Sequence, residues 1–147
     1  MNHVGIVVQK GDEYSATIVE ARRKVLRQTL GEGYAGTDNE VAVYRPKALQ
    51  KHKLYAARSA EEYVGRSYGN LKLVLHVLDW ALLGAYVFRR LGRIEKYPIC
   101  SYLVAHACAD AGIHFGVSPN AASPDDIWDW VTSQPSFELI RPLSKIQ

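Results

Sequence analysis

The sequence lacks the motifs that would assign a function directly. It has no glycine-rich phosphate loop followed by lysine and no G-x-S-x-G motif, so neither P-loop nucleotide binding nor a serine nucleophile elbow is expected. Its net charge is only +3 and its basic residues are scattered, so we predict no nucleic-acid partner, because such proteins carry a basic stripe. No residue pattern calls for a cofactor.

Cysteine is scarce, with two residues among 147, Cys100 and Cys108. On the predicted helix that carries both, eight residues span about 12 Å, whereas a disulfide needs Cα atoms within about 7 Å. They therefore cannot pair with each other there. Two free thiols and the lack of a signal-peptide pattern favour a reducing, cytoplasmic compartment. With His106 and His114 the cysteines match no standard zinc spacing, so no metal is expected.

The hydrophobic pattern predicts an α+β fold in one domain, residues 1–147, with one antiparallel sheet packed against helices. The first two strands would form a hairpin that turns at Gly11 and Asp12. The predicted strands are 4–8, 16–21, 41–45 and 137–141; the predicted helices are 57–68, 71–91, 101–111 and 126–133; and the predicted loops are 31–39 and 113–122.

The sequence allows two interpretations for each of two segments. The cluster Arg22, Arg23, Lys24 and Arg27 is read either as a solvated charged segment, which is the commoner case, or as an anion-facing patch. Residues 71–91 are strongly apolar but contain five residues that disfavour a membrane span, Lys72, His76, Asp79, Arg89 and Arg90. We expect this helix to pack on protein, with membrane or partner contact as the alternative.

Cys100 is the candidate nucleophile. It follows Pro98 and stands where a helix begins, so unpaired N–H groups and the positive end of the helix dipole would face its sulfur. Both favour the thiolate, and the same amides could hold an oxyanion. A buried structural cysteine is the alternative. Cys108 lies among alanines in the middle of the helix and is expected to be a core residue.

His3 is the candidate base, and Glu20 is the candidate orienting residue. If cross-strand partners in the hairpin sum to 23, His3 lies directly opposite Glu20, with Cβ atoms about 5 Å apart. A carboxylate there would fix the imidazole tautomer and leave the other ring nitrogen free to take a thiol proton. A slip of one residue would place the two side chains on opposite faces. A structural histidine is the alternative.

The ordered pieces of sequence resemble the circularly permuted NlpC/P60 group of papain-like proteins, including the YiiX/YaeF-like hydrolases and, more distantly, the lecithin retinol acyltransferase-like enzymes. The resemblance covers about residues 2–140 and is weak over 50–95. It is carried by Asn2-His3-Val4-Gly5-Ile6, Ile18-Val19-Glu20-Ala21, Val41-Ala42-Val43-Tyr44-Arg45-Pro46, Ile99-Cys100-Ser101-Tyr102-Leu103, Ala111-Gly112 and Ser123-Pro124-Asp125-Asp126-Ile127.

The resemblance implies a permuted papain-like fold and hydrolysis of an amide or peptide bond through a thioester on Cys100, with His3 as base and Glu20 as third member. It also implies that Tyr68 and Ser101 contact a small-molecule, peptide or acyl substrate, although a core aromatic at the end of a helix is the commoner case for a residue such as Tyr68. Acyl transfer, lipid ester hydrolysis and a non-catalytic binding module stay open. The chain departs from the group in two ways, since no strand precedes His3 and the 71–91 spacer is unusually apolar.

Overall fold

The structure, a computed structural model, describes residues 3–66 and 100–146. Within these ranges it contains nine elements, which we number in chain order. The strands are β1 (Gly5–Gln9), β2 (Thr17–Ala21), β3 (Val25–Thr29), β4 (Glu40–Pro46) and β5 (Phe137–Lys145), and the helices are α1 (Leu30–Tyr34), α2 (Gln50–Glu61), α3 (Cys100–Asp110) and α4 (Pro124–Ser133). The α+β class is therefore confirmed, while the predicted helix 71–91 and the residue Tyr68 lie outside the described residues.

The strands form two antiparallel sheets in the described ranges rather than the single predicted sheet. One has the order β1-β2-β3, and the other pairs β4 with β5. The strand β3 was not predicted, because Arg27 and Gln28 break its alternation and Arg27 was read as part of the basic cluster. Its Val25 is nevertheless fully buried.

The first hairpin turns later than predicted. Its tight turn begins at Asp12, whose carbonyl accepts from the Ala16 amide at 3.1 Å. The Asp12 carboxylate also accepts the backbone N–H groups of Tyr14 and Ser15, at 2.9 and 2.7 Å, as aspartate commonly does in turns. The register therefore pairs Gly5 with Glu20, so the predicted register, with partners summing to 23, is wrong.

Two helices differ from the prediction. Residues 31–39 were predicted as a loop, but the short helix α1 begins this stretch, with Thr29 and Glu32 forming a capping box. The predicted helix 57–68 is instead α2, which ends at Glu61. Ser59 lies in the last turn of α2, where its buried hydroxyl donates to the Asp110 carboxylate on α3 at 2.6 Å.

The predictions for α3 and α4 agree with the structure to within two residues. Helix α4 begins as its sequence predicts, with Ser123 at the N-cap accepting from the Asp126 amide and with a proline in the first turn. Strand β5 is longer than predicted and runs through Pro142, which a strand tolerates where the missing N–H has no ladder partner to meet.

The central strand β2 is buried on both faces. Alternation along the strand directs Val19 and Ala21 into the larger core cluster and Ile18 into a smaller one, and all five residues are buried. The larger cluster includes Leu103 and Val104 of α3, so this helix packs against the sheet. That contact brings the first residue of α3 to the edge of the sheet where β1 begins.

Candidate active site

The candidate site centres on Cys100, the first residue of α3. Its sulfur receives hydrogen bonds from the backbone amides of Val4 and Ser101 and is hydrogen-bonded to the His3 side chain. The Ser101 amide belongs to the first turn of the helix, where N–H groups lack partners within the helix. The helix start and the chain leading into β1 therefore both direct N–H groups at the sulfur.

His3 lies between the thiol and a carboxylate. Its Nε2 donates to Oε2 of Glu20 at 2.6 Å, and its ring is also hydrogen-bonded to Cys100. Because Nε2 is occupied by the carboxylate, Nδ1 is the nitrogen left for the thiol. The His3 side chain is 28% exposed and that of Glu20 is fully buried, so solvent reaches this group of residues beside the imidazole.

The contact between His3 and Glu20 is diagonal rather than directly cross-strand. The structure pairs Glu20 with Gly5, which moves the predicted register by two residues and therefore keeps the two side chains on one face. Gly5 leaves the space that the diagonal contact needs, since a Cβ there would lie 3.2 Å from the Glu20 Cβ. The predicted neighbours thus meet, although the predicted geometry is wrong.

The electrostatics of the three groups favour a thiolate beside an imidazolium. Burial opposes ionisation of the Cys100 thiol, but hydrogen bonds from His3 and the Val4 amide outweigh it and hold the pKa of that thiol below its ordinary value. Burial likewise opposes charge on His3, but its bonds to Cys100 and Glu20 raise the pKa of the imidazole from 6.5 to about 9. Both shifts favour the state in which the proton rests on His3 rather than on the sulfur.

Glu20 has partners that the sequence did not indicate. Tyr34 donates its hydroxyl to Oε2 at 2.7 Å, Arg22 Nε lies 3.1 Å from Oε1, and the Gln28 amide also donates to Oε1. Burial opposes ionisation here too, but hydrogen bonds from His3 and Tyr34 outweigh it and hold the pKa of Glu20 below its usual range. Only the position of Arg22 in the basic cluster was a signal; Gln28 and Tyr34 lie on β3 and α1, which were not predicted.

The two predicted substrate-contact residues have different outcomes. Tyr68 lies outside the described residues. Ser101 is fully buried, and within the described part of the chain its hydroxyl has no hydrogen-bond partner. Its side chain therefore gives no support for contact with a substrate, and what Ser101 contributes at the thiol is its backbone amide.

Cys108 lies in the core near the other end of α3, as its alanine surroundings predicted. Burial raises the pKa of its thiol to about 12.

His106 contacts residues outside the candidate site. Its ring centroid lies 4.0 Å from that of Tyr102, and its Nε2 is hydrogen-bonded to the Asn120 side chain at 2.9 Å. Over residues 3–66 and 100–146, no group of three or more ligand-type side chains could hold a metal ion.

The basic cluster is divided by the structure. Arg22 faces inward to Glu20 and lies over the Tyr34 ring, 5.0 Å from its centroid, and Arg27 pairs with Glu61 at 3.4 Å. The exposed Arg23 and Lys24 border an open depression of about 500 Å³ together with Arg22 and Leu26. The cluster is thus neither a uniform solvated face nor a uniform basic patch.

Comparison with known proteins gives no match. No family model fits the sequence, no curated protein is significantly similar to it, and no solved structure is significantly similar to its fold. The membership of the NlpC/P60 group stays a prediction. Among the described helices, none has the length and apolar character needed to cross a membrane.

Proposed function

We propose that the protein is a cysteine hydrolase that cleaves an amide or peptide bond on a circularly permuted papain-like fold. The observation that carries the proposal is the chain of contacts from the Cys100 thiol through His3 to the buried carboxylate of Glu20. The residues that carry the resemblance to the NlpC/P60 group include these three, and this gives the proposal its second support.

In the proposed reaction, Cys100 is the nucleophile and His3 is the base. The sulfur attacks a carbonyl carbon, and the thiol proton resides on His3. The tetrahedral oxyanion would form beside the first turn of α3, where backbone N–H groups lack partners within the helix. His3 then gives its proton to the leaving amine, which leaves a thioester on Cys100. In the second step water attacks the thioester and gives a proton to His3, and the acyl carbon–sulfur bond breaks, which releases the carboxylic acid and restores the thiolate on Cys100.

Glu20 would orient the imidazole. By accepting from Nε2, it fixes the tautomer and the ring plane and stabilises the imidazolium. This division of roles agrees with the burial of the residues, because the carboxylate is fully enclosed while the imidazole is partly exposed. The residue that must meet substrate and water is thus the more accessible of the two.

The proposal is tested with an activated acyl compound, because the substrate is not needed to detect the nucleophile. The protein would be incubated with p-nitrophenyl acetate at pH 6 to 9, quenched in acid and mapped by mass spectrometry. We expect an acetyl thioester on Cys100 that disappears with time as water hydrolyses it. Acetylation confined to lysines and the N-terminus, with Cys100 unmodified, would refute the assignment.

A further inference from the structure

The Glu20 carboxylate is buried and fully used as an acceptor. Oε2 accepts from His3 and from the Tyr34 hydroxyl, at 2.6 and 2.7 Å, and Oε1 faces Arg22 Nε at 3.1 Å and the Gln28 amide. Two oxygens offer about four lone-pair positions in total. Each oxygen therefore has two donors, and only one of the four donors is the histidine.

A buried carboxylate beside an imidazolium is prone to take the proton of the ring. Burial makes the anion costly, so the proton on the ring could move to the carboxylate and leave both groups neutral. A His3 that has lost its proton to Glu20 could not protonate a leaving amine. Donors that stabilise the anion but do not release a proton near neutral pH would prevent that transfer.

Tyr34, Gln28 and Arg22 have these properties. Burial and the bond to Glu20 raise the pKa of Tyr34 to about 12, so its hydroxyl stays a donor. Arg22 carries a permanent charge, and the Gln28 amide does not titrate. The two donors on Oε1 also fix the carboxylate plane, so that Oε2 faces His3.

We propose that Tyr34, Gln28 and Arg22, here called the donor cage, are positioning residues that hold Glu20 as an oriented anion, so that the proton taken from Cys100 stays on His3. The inference rests on the proposed function, since it gives the cage a role in the same reaction. None of the three touches the thiol; they act through Glu20.

The chain around Tyr34 and Gly33 leaves room for the donor cage. Tyr34 ends α1, and its ring packs under the Arg22 guanidinium. Gly33 lies beside both other members: its carbonyl accepts from Arg22 at 3.4 Å, and a Cβ there would collide with the Gln28 amide. A side chain at position 33 would therefore push the Gln28 amide away from its place in the cage.

The test compares Tyr34→Phe with Tyr55→Phe. Both remove one phenolic hydroxyl, but Tyr55 is 57% exposed on α2. In each variant, the Glu20 carboxyl carbon is followed by NMR across a pH series in protein labelled with ¹³C at glutamate, and Glu20→Gln identifies the signal. We expect the titration of Glu20 to move up by about one pH unit in Tyr34→Phe, because the charged form loses one hydrogen bond, and to stay in place in Tyr55→Phe.

A second readout separates positioning from plain stability. Acylation of Cys100 by an amide-linked probe, whose leaving amine needs the proton of His3, should slow about tenfold in Tyr34→Phe and keep its rate in Tyr55→Phe. If Tyr34→Phe does not fold, Gln28→Leu removes another member of the cage, and the same shift in titration is expected. A Glu20 signal that titrates identically in the cage variant and the unaltered protein would overturn the inference.

The two proposals fail in different ways. If Cys100 in the unaltered protein is never acetylated, the hydrolase proposal falls, and with it the role of the cage in catalysis. If Cys100 is acetylated normally while the cage variants leave both the Glu20 titration and the rate of acylation by the amide-linked probe unchanged, only the cage inference falls.

Discussion

Cys100 and Cys108 lie on one helix, and each is 7% exposed, yet their thiols behave in opposite ways. The pKa of Cys108 rises to about 12 through burial alone. That of Cys100 falls despite burial, because His3 and two backbone amides stabilise its anion. The difference teaches that the partners of each sulfur, rather than the exposure of the residue, decide the direction of the pKa shift here, since burial by itself would have raised both pKa values.

The largest effect expected from this comparison is selective alkylation at low pH. At pH 6, iodoacetamide should modify Cys100 more than about 100-fold faster than Cys108, since only the thiolate reacts. Cys100→Ala should abolish the labelling and Cys108→Ala should leave it intact, as measured by peptide mass spectrometry. Equal labelling of the two sites would remove the distinction between them.

The next effect comes from removing the imidazole. His3→Ala should lower the rate of Cys100 alkylation at pH 6 about 100-fold, because the hydrogen bond and the positive charge of His3, which hold the pKa of this thiol below its ordinary value, are both lost. The rate is measured against pH with iodoacetamide. His106→Ala is the control, because His106 is held by Asn120. An unchanged profile in His3→Ala would show that the amides alone activate the sulfur.

A smaller effect is expected from Glu20→Gln, which keeps the shape of the side chain and removes its charge. The alkylation rate at pH 6 should fall about tenfold, because the imidazolium loses its counter-charge.

In the unaltered protein, transfer of the His3 proton to a leaving group should decline as the pH rises past about 9. In the variant, that decline should begin at lower pH, because a charge that raised the pKa of His3 is gone. The measurement is acylation by an amide-linked probe across the pH range, with Glu61→Gln as the control.

The smallest effect is expected at Cys108, the thiol that we expect to be unreactive. Cys108→Ala should cost about 1 kcal/mol in the free energy of unfolding, because it removes one buried sulfur and leaves a small cavity. Urea unfolding followed by circular dichroism gives this value, and acetylation of Cys100 should keep its rate. A loss of acetylation in the folded variant would mean that Cys108 has a part in the site after all.

The elements that were predicted correctly are those whose signals lie within a few neighbouring residues. The start of α4 was predictable, because Ser123, Pro124 and Asp126 are neighbours that cap the helix among themselves. The beginning of α3 near Cys100 had a comparable local signal in the preceding proline. In contrast, β3 was missed because only Val25 of its residues is fully buried and the strand is recognised through its pairing with β2.

The contrast between local and long-range signals also appears in the candidate site. His3, Glu20 and Cys100 were identified from their positions, but their contact geometry was not, since the turn shifted the hairpin register by two residues. The face was still correct because a shift of two preserves the alternation of side chains. Tyr34 and Gln28 could not be identified, because nothing in their neighbours in sequence indicates that they meet a carboxylate.

The amino-acid sequence by itself determined the α+β class, the capping of α4, the parity that places His3 and Glu20 on one face, and the position of Cys100 at a helix start. These features depend on short-range periodicity and on backbone groups at helix ends. Only the tertiary structure decided which groups donate to the Cys100 sulfur and that Glu20 has four donors, because both depend on how the strands and helices pack. Burial and hydrogen bonding between the packed elements set the charge of each group, and periodicity carries no information about them.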